Sequence, residues 1–287
     1  MSDRPAHAPD LIAGFWTIAG AVRPWSGCNV SPHPIESRVG AATAAGYVGI
    51  GFYYDDLDVI EHGLGFDRLR GILQDNGIRY GQFEGLDRWW TVEDVHGTQT
   101  RDTLLRAVEA LEIPDSHVKC IADTTGAAIP MDAYAAGFGS LAEASAGVGA
   151  RLGIEFIPFA GIATLADALE LVGAAGHPDA GVVIDLWHVA RNGIPFADIA
   201  AVPKELIVNV ELDDADDSPV GRLEDDTVDR RRFCGEGDID VRGFIESIRA
   251  TGYRGAYAVE VISEETRALP LDAAARRSYT TTAAQFA

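Results

Sequence analysis

The feature that most constrains this chain is its alternation of short apolar runs with amphipathic segments. The apolar runs are rich in β-branched and aromatic residues and recur roughly every 25 to 50 residues, the spacing of repeated βα units. Strands that are covered on both faces have near-continuous apolar sequences, as most of these runs do. The eight predicted strands are Leu11–Ile18, Tyr47–Tyr53, Ile78–Glu84, His117–Asp123, Leu152–Pro158, Gly181–Trp187, Leu206–Asp213 and Ala256–Ile262.

Amphipathic segments between these runs predict helices, with apolar residues at helical spacing and glycine at the C-terminal stop. Eight alternating units in 287 residues favour an α/β fold, a closed (β/α)8 TIM barrel forming one domain over residues 1–287. The first βα turn has no GxGxxG motif, which argues against an open dinucleotide-binding sheet. The clearest predicted helices are Phe66–Asp75, Thr100–Glu112, Thr164–Ala175 and Val241–Thr251.

The charge balance excludes several classes of partner. With 44 acidic and 23 basic residues, the net charge of −21 disfavours binding to nucleic acid or to anionic membranes. No apolar run approaches the roughly 20 residues of a membrane span, and Met1–Asp10 lacks the apolar core of a signal peptide. The cysteines form no CxxC pair, so we expect free thiols and a cytoplasmic location, with homo-oligomerisation left open. They are Cys28, Cys120 and Cys234.

Carboxylates embedded in the last four predicted strands are the strongest functional signal. Burying a carboxylate is costly unless it is paired or bound to a metal, and residues near the C-terminal strand ends converge on a barrel axis. A single residue of this kind is usually a structural ion-pair partner, whereas four together predict a site for Mn²⁺ or Mg²⁺. Four carboxylates exceed the charge of one dication, so we expect one to be protonated or away from the metal. They are Glu155, Asp185, Glu211 and Glu260.

Other polar and aromatic residues near the same strand ends are candidates for substrate binding. Each has a structural alternative: core filling for the aromatic residues and ion pairing for the charged ones. Trp89 and Trp90 follow the third strand and are interpreted as a substrate wall, and Arg232 is an alternative to its neighbour Arg231. The remaining candidates are Trp16, Glu84, Lys119, His188 and Arg231.

The pattern of Glu155, Asp185-x-x-His188, position 211 and Glu260 resembles the xylose isomerase-like TIM barrel superfamily of sugar isomerases and epimerases. The segment RRFCGEGDIDVRGFIESIRATGYRGAYAVEV, residues 231–261, is similar to that family's usual ending. The resemblance implies that Glu155, Asp185 and Glu260 ligate a divalent metal and that His188 contacts substrate. The family usually has His or Gln where this chain has Glu211, so the role of Glu211 stays open.

The implied chemistry is proton transfer beside a carbonyl, with a metal stabilising an enediolate and Glu155 and Glu260 as the acid–base pair. Return of the proton gives isomerisation or epimerisation, and loss of a β-hydroxyl gives dehydration of a keto-sugar or inosose. Gly235–Gly237 is flanked by acidic residues and so disfavours phosphate, which predicts an unphosphorylated sugar, keto-sugar or polyol. The superfamily's abasic-site endonucleases fit this acidic chain poorly, and a non-catalytic sugar-binding or partner subunit stays open.

Overall fold

Eight parallel strands close into a barrel in the computed structural model, which describes residues 9–27, 29–91 and 94–287. Each strand pairs with its neighbours in sequence, and β1 closes the barrel against β8. The predicted (β/α)8 fold is confirmed. The strands are β1 Leu11–Ala13, β2 Gly49–Tyr53, β3 Tyr80–Leu86, β4 Asp115–Ile121, β5 Ala150–Glu155, β6 Ala180–Asp185, β7 Ile207–Leu212 and β8 Tyr257–Val259.

Thirteen α-helices occupy the described residues, and two short 3-10 helices, Lys204–Leu206 and Ala284–Phe286, accompany them. Apolar faces of the longer helices pack on the outer face of the barrel, in one main core cluster. The helices are α1 Phe15–Ile18, α2 Ile35–Ala45, α3 Tyr54–Gly63, α4 Phe66–Asp75, α5 Val95–Leu111, α6 Met131–Gly147, α7 Leu165–Ala175, α8 Leu186–Arg191, α9 Phe196–Ala200, α10 Leu223–Asp229, α11 Val241–Ala250, α12 Glu264–Ala268 and α13 Leu271–Ala283.

Most of the predicted strands extend too far at their C-terminal ends, since β5 stops at Glu155 and β8 at Val259, and two of the predicted strands continue into residues that are helical. The predicted strand Leu11–Ile18 stops at Ala13, and its second half is α1. Packing overrides the β-propensity of this segment, because a Cβ on Gly14 would lie 2.7 Å from the Val259 carbonyl oxygen as the chain turns against β8. The predicted strand Gly181–Trp187 stops at Asp185, whose side chain caps α8 by accepting a hydrogen bond from His188 N.

The barrel interior carries a polar layer instead of the usual branched apolar residues. Alternate residues of a strand face opposite sides of the sheet, so the apolar Val118 and Val210 face the helices while their neighbours face inward. The inward-facing polar residues on β3, β4 and β7 are all buried, and they extend from His117 and Asn209 near the N-terminal end of the barrel to Glu84 and Lys119 near the C-terminal rim. They are Gln82, Glu84, His117, Lys119, Asn209 and Glu211.

Cys120 and Cys234 are buried and free, in agreement with the sequence, while Cys28 lies outside the described residues. No helix in the described part of the chain is both long and apolar enough to cross a membrane. The segment that connects β7 to α11 contains α10.

Candidate metal centre

Four carboxylates meet at the C-terminal end of the barrel. Glu155 and Asp185 are the last residues of β5 and β6, Glu211 pairs with Asp185 across β6 and β7, and Glu260 follows β8 directly. One oxygen from each of the four lies within 4.8 Å of the others, and none of the four residues is more than 4% exposed. The structure thus brings together all four residues that the sequence indicated as metal ligands.

The ammonium group of Lys119 lies among the same carboxylates. Its Nζ is 2.8 Å from Glu260 Oε1, 3.0 Å from Glu211 Oε1 and 3.4 Å from Glu155 Oε2. Glu84 Oε2, from β3, is 3.3 Å away. Burial alone would lower the pKa of Lys119, but the surrounding carboxylates outweigh it and raise the pKa well above its usual value. Lys119 therefore stays charged.

Arg231 is the second buried cation of the centre, and its donors are already engaged. Its Nη1 donates to Asp185 Oδ2 and to Asp213 Oδ2, both at 2.6 Å, while Nη2 donates to Thr227 Oγ1 at 3.0 Å. Sequence reasoning missed Asp213, although it follows Glu211 by two residues, the spacing that keeps side chains on one face of an extended strand. Arg232, the alternative to Arg231, instead pairs with Asp216 and is partly exposed.

His188 lies beside the carboxylates at the start of α8. Its Nε2 is 3.3 Å from Glu155 Oε1, and its backbone N–H donates to Asp185 Oδ1 at 3.0 Å. The buried Nδ1 of His188 has no hydrogen-bond partner among the described residues. This position allows His188 either to join Glu155 and Asp185 as a metal ligand or to hydrogen-bond a bound molecule.

Burial and mutual repulsion divide the carboxyl groups into two kinds. Burial raises the pKa of Glu84 to about 8, and burial together with neighbouring carboxylates raises the pKa of Glu211 and Asp213 well above their usual values. Burial also acts on Glu155, but there Lys119 and His188 outweigh it and lower the pKa. Burial and repulsion therefore oppose ionisation of Glu84, Glu211 and Asp213, whereas Lys119 and His188 favour ionisation of Glu155.

The donor set fits a divalent cation. Glu155 Oε1 is buried, and its contact with His188 Nε2 at 3.3 Å lacks the geometry of a hydrogen bond, so the oxygen can accept a further partner. Six carboxyl groups face only two cationic side chains, so the centre retains an excess of negative charge. Carboxylate oxygens are the ligands that hard divalent cations prefer. The residues that could hold the ion are Glu155, Asp185, Glu211 and Glu260.

A cavity of about 380 Å³ opens directly above this centre. Glu84, Lys119, Glu155, His188, Arg231 and Glu260 all line it, so the predicted substrate-binding and catalytic residues share one space with Trp16. Its walls are largely aromatic, and Trp16 packs against Tyr53 with ring centroids 4.9 Å apart. The aromatic lining residues are Trp16, Trp25, Tyr53, Tyr54 and Phe159.

Trp89 and Trp90 do not line this cavity, so their interpretation as a substrate wall is wrong. Trp89 is buried, donates through Nε1 to the Ile121 carbonyl at 2.7 Å and packs against Tyr134 and Phe138. These contacts join the β3 loop to α6, which makes the pair part of the core. A consecutive Trp pair carries no sequence signal that distinguishes these two roles.

The Gly235–Gly237 turn is filled by the protein itself. Asp214 Oδ2 accepts hydrogen bonds from the backbone N–H groups of Gly235 and Gly237, both at 2.9 Å, and Oδ1 accepts from Ile239 N at 3.0 Å. A carboxylate therefore already takes the donors that an anion would need. This agrees with the expectation that the turn does not bind phosphate.

Another cavity, of about 390 Å³, lies at the opposite end of the barrel. Residues at the N-terminal ends of the strands line it, among them Asp115, His117 and Ile207. Active sites of this fold occur at the C-terminal face, and residues at the N-terminal face mainly support stability. The carboxylate cluster and the aromatic cavity together mark the C-terminal end as the candidate site.

The fold and site define the class: a (β/α)8 barrel with a cluster of buried carboxylates at its C-terminal mouth. The chain belongs to the xylose isomerase-like TIM barrel family, whose model matches residues 39–281. This confirms the resemblance given by residues 155–260.

Two curated relatives illustrate the reactions found among similar proteins. The chain is 30% identical over 144 residues to an inosose isomerase of Halalkalibacterium halodurans, covering 50% of this chain and 50% of that protein. It is 28% identical over 246 residues to a 3-dehydroshikimate dehydratase of Pseudomonas aeruginosa, covering 82% of this chain and 37% of that protein. The chain thus spans half the length of the first relative and less of the second.

Solved structures share the fold over almost the whole chain. A structure described as IOLI protein with a binding zinc atom superposes with a TM-score of 0.82 at 18% identity, covering 96% of this chain and 98% of that chain. D-psicose 3-epimerase in the presence of D-fructose superposes with a TM-score of 0.69 at 14% identity, covering 95% and 96% of the two chains. At these identities the likeness concerns the fold alone.

Proposed function

We propose that this chain is a divalent-metal-dependent isomerase or epimerase that acts on an unphosphorylated keto-sugar or cyclic polyol through an enediolate. The observation that carries the proposal is the cluster of four carboxylates, with oxygens within 4.8 Å of one another, at the floor of an aromatic cavity. Glu155, Asp185 and Glu260, together with Glu211, would hold Mn²⁺ or Mg²⁺. A bound dication supplies electrophilic stabilisation to the developing enediolate.

Glu155 and Glu260 are the proposed acid–base pair. They come from β5 and from the end of β8, and both line the cavity, so their carboxylates approach a bound molecule from different strands. One removes the proton beside the carbonyl and the other returns it to the neighbouring carbon or to the opposite face. His188 lines the same cavity and is the proposed hydrogen-bond partner of a substrate oxygen.

The charges around the cavity favour an uncharged substrate. Lys119 and Arg231 are its buried cations, and both are bonded to carboxylates that also face the site. Asp87 and Glu84 add acidic groups to the lining. A phosphate or carboxylate on the substrate would therefore meet repulsion without a free cationic partner among the described lining residues. Trp16 and Tyr53 offer apolar faces against which a sugar ring can stack.

A metal-dependent dehydratase is the second candidate, favoured by the 28% identity over 82% of this chain to a 3-dehydroshikimate dehydratase. The same deprotonation followed by loss of a β-hydroxyl would produce an enone. The substrate in that relative's name carries a carboxylate, which the acidic cavity of this chain would disfavour. We therefore rank a neutral cyclic or open-chain polyol ketone first.

The test is a panel of neutral keto-sugars and inososes, with 3-dehydroshikimate as the anionic comparison, incubated with the Mn²⁺-loaded protein in D₂O. We expect NMR to detect deuterium at the carbon beside the carbonyl of a neutral substrate that has been isomerised or epimerised. Formation of a conjugated enone with release of water would favour the dehydratase instead. Turnover with a labelled hydrogen transferred between carbons would reject the carboxylate-pair mechanism. Binding of a neutral polyol with no turnover of any compound would favour a sugar-binding subunit.

A further inference from the structure

Glu211 differs from the other three carboxylates because a cation of the protein holds both of its oxygens. Lys119 Nζ donates to Glu211 Oε1 at 3.0 Å and to Oε2 at 3.2 Å. Lys119 is 4% exposed and Glu211 is fully buried, so solvent does little to weaken this pair. The hydrogen bonds that Glu211 accepts come from N–H donors, which suits an ionised carboxylate, and with Glu211 ionised the two side chains form a buried unit without net charge.

The hydrogen bonds of Glu211 leave little of it free for another partner. Its Oε1 also accepts from Gln82 Nε2 at 2.8 Å and from Asn209 Nδ2 at 3.3 Å. Three donors on one carboxylate oxygen exceed its two lone pairs. Only Oε2 remains to face a metal ion, and the ammonium group lies beside it.

Lys119 also meets the oxygens that a metal ion would need from the other ligands. Its contacts with Glu260 Oε1 and Glu155 Oε2, at 2.8 and 3.4 Å, are contacts with two further members of the cluster. A metal ion and the ammonium group therefore compete for the same carboxylates, at a separation where like charges repel strongly in a buried site.

We propose that Lys119 and Glu211 act as one charge-neutral unit, in which Lys119 cancels the extra carboxylate on β7 and weakens the binding of the divalent cation. This inference rests on the metal-dependent function proposed above. It assigns Lys119 to tuning of the metal centre instead of substrate binding. It also makes the metal readily exchangeable, since a site with four uncompensated carboxylates would hold a dication far more tightly.

The test measures Mn²⁺ affinity by calorimetry on the metal-stripped full chain. We expect Lys119→Met to tighten the dissociation constant at least tenfold, because Glu211 then adds its full charge. Glu211→Gln should weaken it at least tenfold, because Lys119 is left without its counter-charge. The double variant should return to within about threefold of wild type, since it again contributes no net charge. The matched control is Lys204→Met, a change of the same type at an exposed lysine near the opposite end of the barrel, which should leave the affinity unchanged.

Lys119→Gln is a second variant that keeps hydrogen-bond donors for Glu211 if the methionine variant folds poorly, and it should also bind Mn²⁺ more tightly. The thermal unfolding midpoint with and without Mn²⁺ gives an independent readout, with a larger metal-induced rise in both variants. Equal or weaker binding by both Lys119 variants than by wild type would overturn the proposal. If wild type binds no Mn²⁺ but Lys119→Met does, the proposal stands and the metal-dependent function fails. If no variant binds, both fail.

Discussion

At the scale of single residues, the site depends on carboxylates whose environments differ although their chemistry is the same. Glu155 is ionised beside Lys119 and His188, whereas burial and repulsion raise the pKa of Glu84 and Glu211. Environments that push carboxyl pKa values apart are typical of acid–base sites.

Glu260→Gln should reduce kcat by roughly 10² to 10⁴, the usual contribution of a general acid–base group. The amide keeps the size of the side chain and can still accept from Lys119, so the cavity should keep its shape. Metal content must be measured on the same sample, because Glu260 also belongs to the ligand cluster. A variant with full metal content and wild-type kcat would remove Glu260 from the acid–base pair.

His188→Ala should abolish most activity while metal content stays near that of wild type. The reason is that the four carboxylates form a ligand set without His188, which lines the cavity where substrate would bind. Elemental analysis and kinetics on one preparation check this. Loss of the metal together with activity would instead show that His188 is a metal ligand. It would also weaken the assignment of Glu211 as a metal ligand.

Glu84→Gln should reduce the pH dependence of stability of the metal-free protein. Burial raises the folded pKa of Glu84 from 4.5 to about 8, so its favourable contribution is complete below about pH 4.5 and is lost as the pH rises towards 8. The expected loss is on the order of 1 kcal/mol per pH unit. Urea unfolding at pH 5 and pH 8 should therefore show a smaller drop in the variant. An identical drop in the two proteins would contradict the raised pKa.

At the scale of elements, α1 matters because it carries Trp16 into the cavity and is tied to the end of β8. Thr17 Oγ1 donates to the Val259 carbonyl at 2.7 Å and accepts from Val261 N at 2.8 Å, on either side of Glu260. A single buried hydroxyl thus joins α1 to the backbone that positions Glu260.

Thr17→Val should lower the free energy of unfolding by about 1 to 3 kcal/mol, because the buried Val261 N–H loses its partner and the Val259 carbonyl keeps the bond from Gly14 N but loses the hydroxyl, without a change in side-chain size. It should also raise KM or lower kcat, since both Trp16 and Glu260 depend on this connection. Thr17→Ser keeps the hydroxyl and is the matched control, expected to stay close to wild type. If valine and serine variants behave alike in denaturation and kinetics, the hydroxyl has no such role.

At the scale of the whole molecule, one divalent ion per chain should stabilise the fold, because the unfolded chain cannot assemble the four ligands. Binding at 100 times the dissociation constant contributes about 2.7 kcal/mol. Thermal unfolding with Mn²⁺ and with EDTA, together with elemental analysis, checks both stoichiometry and stabilisation. Absence of metal from the purified protein, with the same unfolding midpoint in both conditions, would contradict a metal centre.

The net charge of −21 should attract a cation to the protein at long range and repel an anionic substrate.

The sequence by itself determined the barrel and most of the site. Repeated apolar runs predict buried parallel strands, and Glu155, Asp185, Glu211 and Glu260 stand out because carboxylates are rare in such runs. Tertiary structure decided what each polar residue contacts. It showed that Phe15–Ile18 is helical, because close packing of the chain against β8 outweighs local β-propensity. It also placed Lys119 beside Glu211, which is 92 positions away in the sequence, and bonded Arg231 to Asp213, which is 18 positions away. No local pattern encodes these contacts. Local periodicity fixes which face of a strand a side chain occupies, but only closure of the barrel determines which charges meet across it.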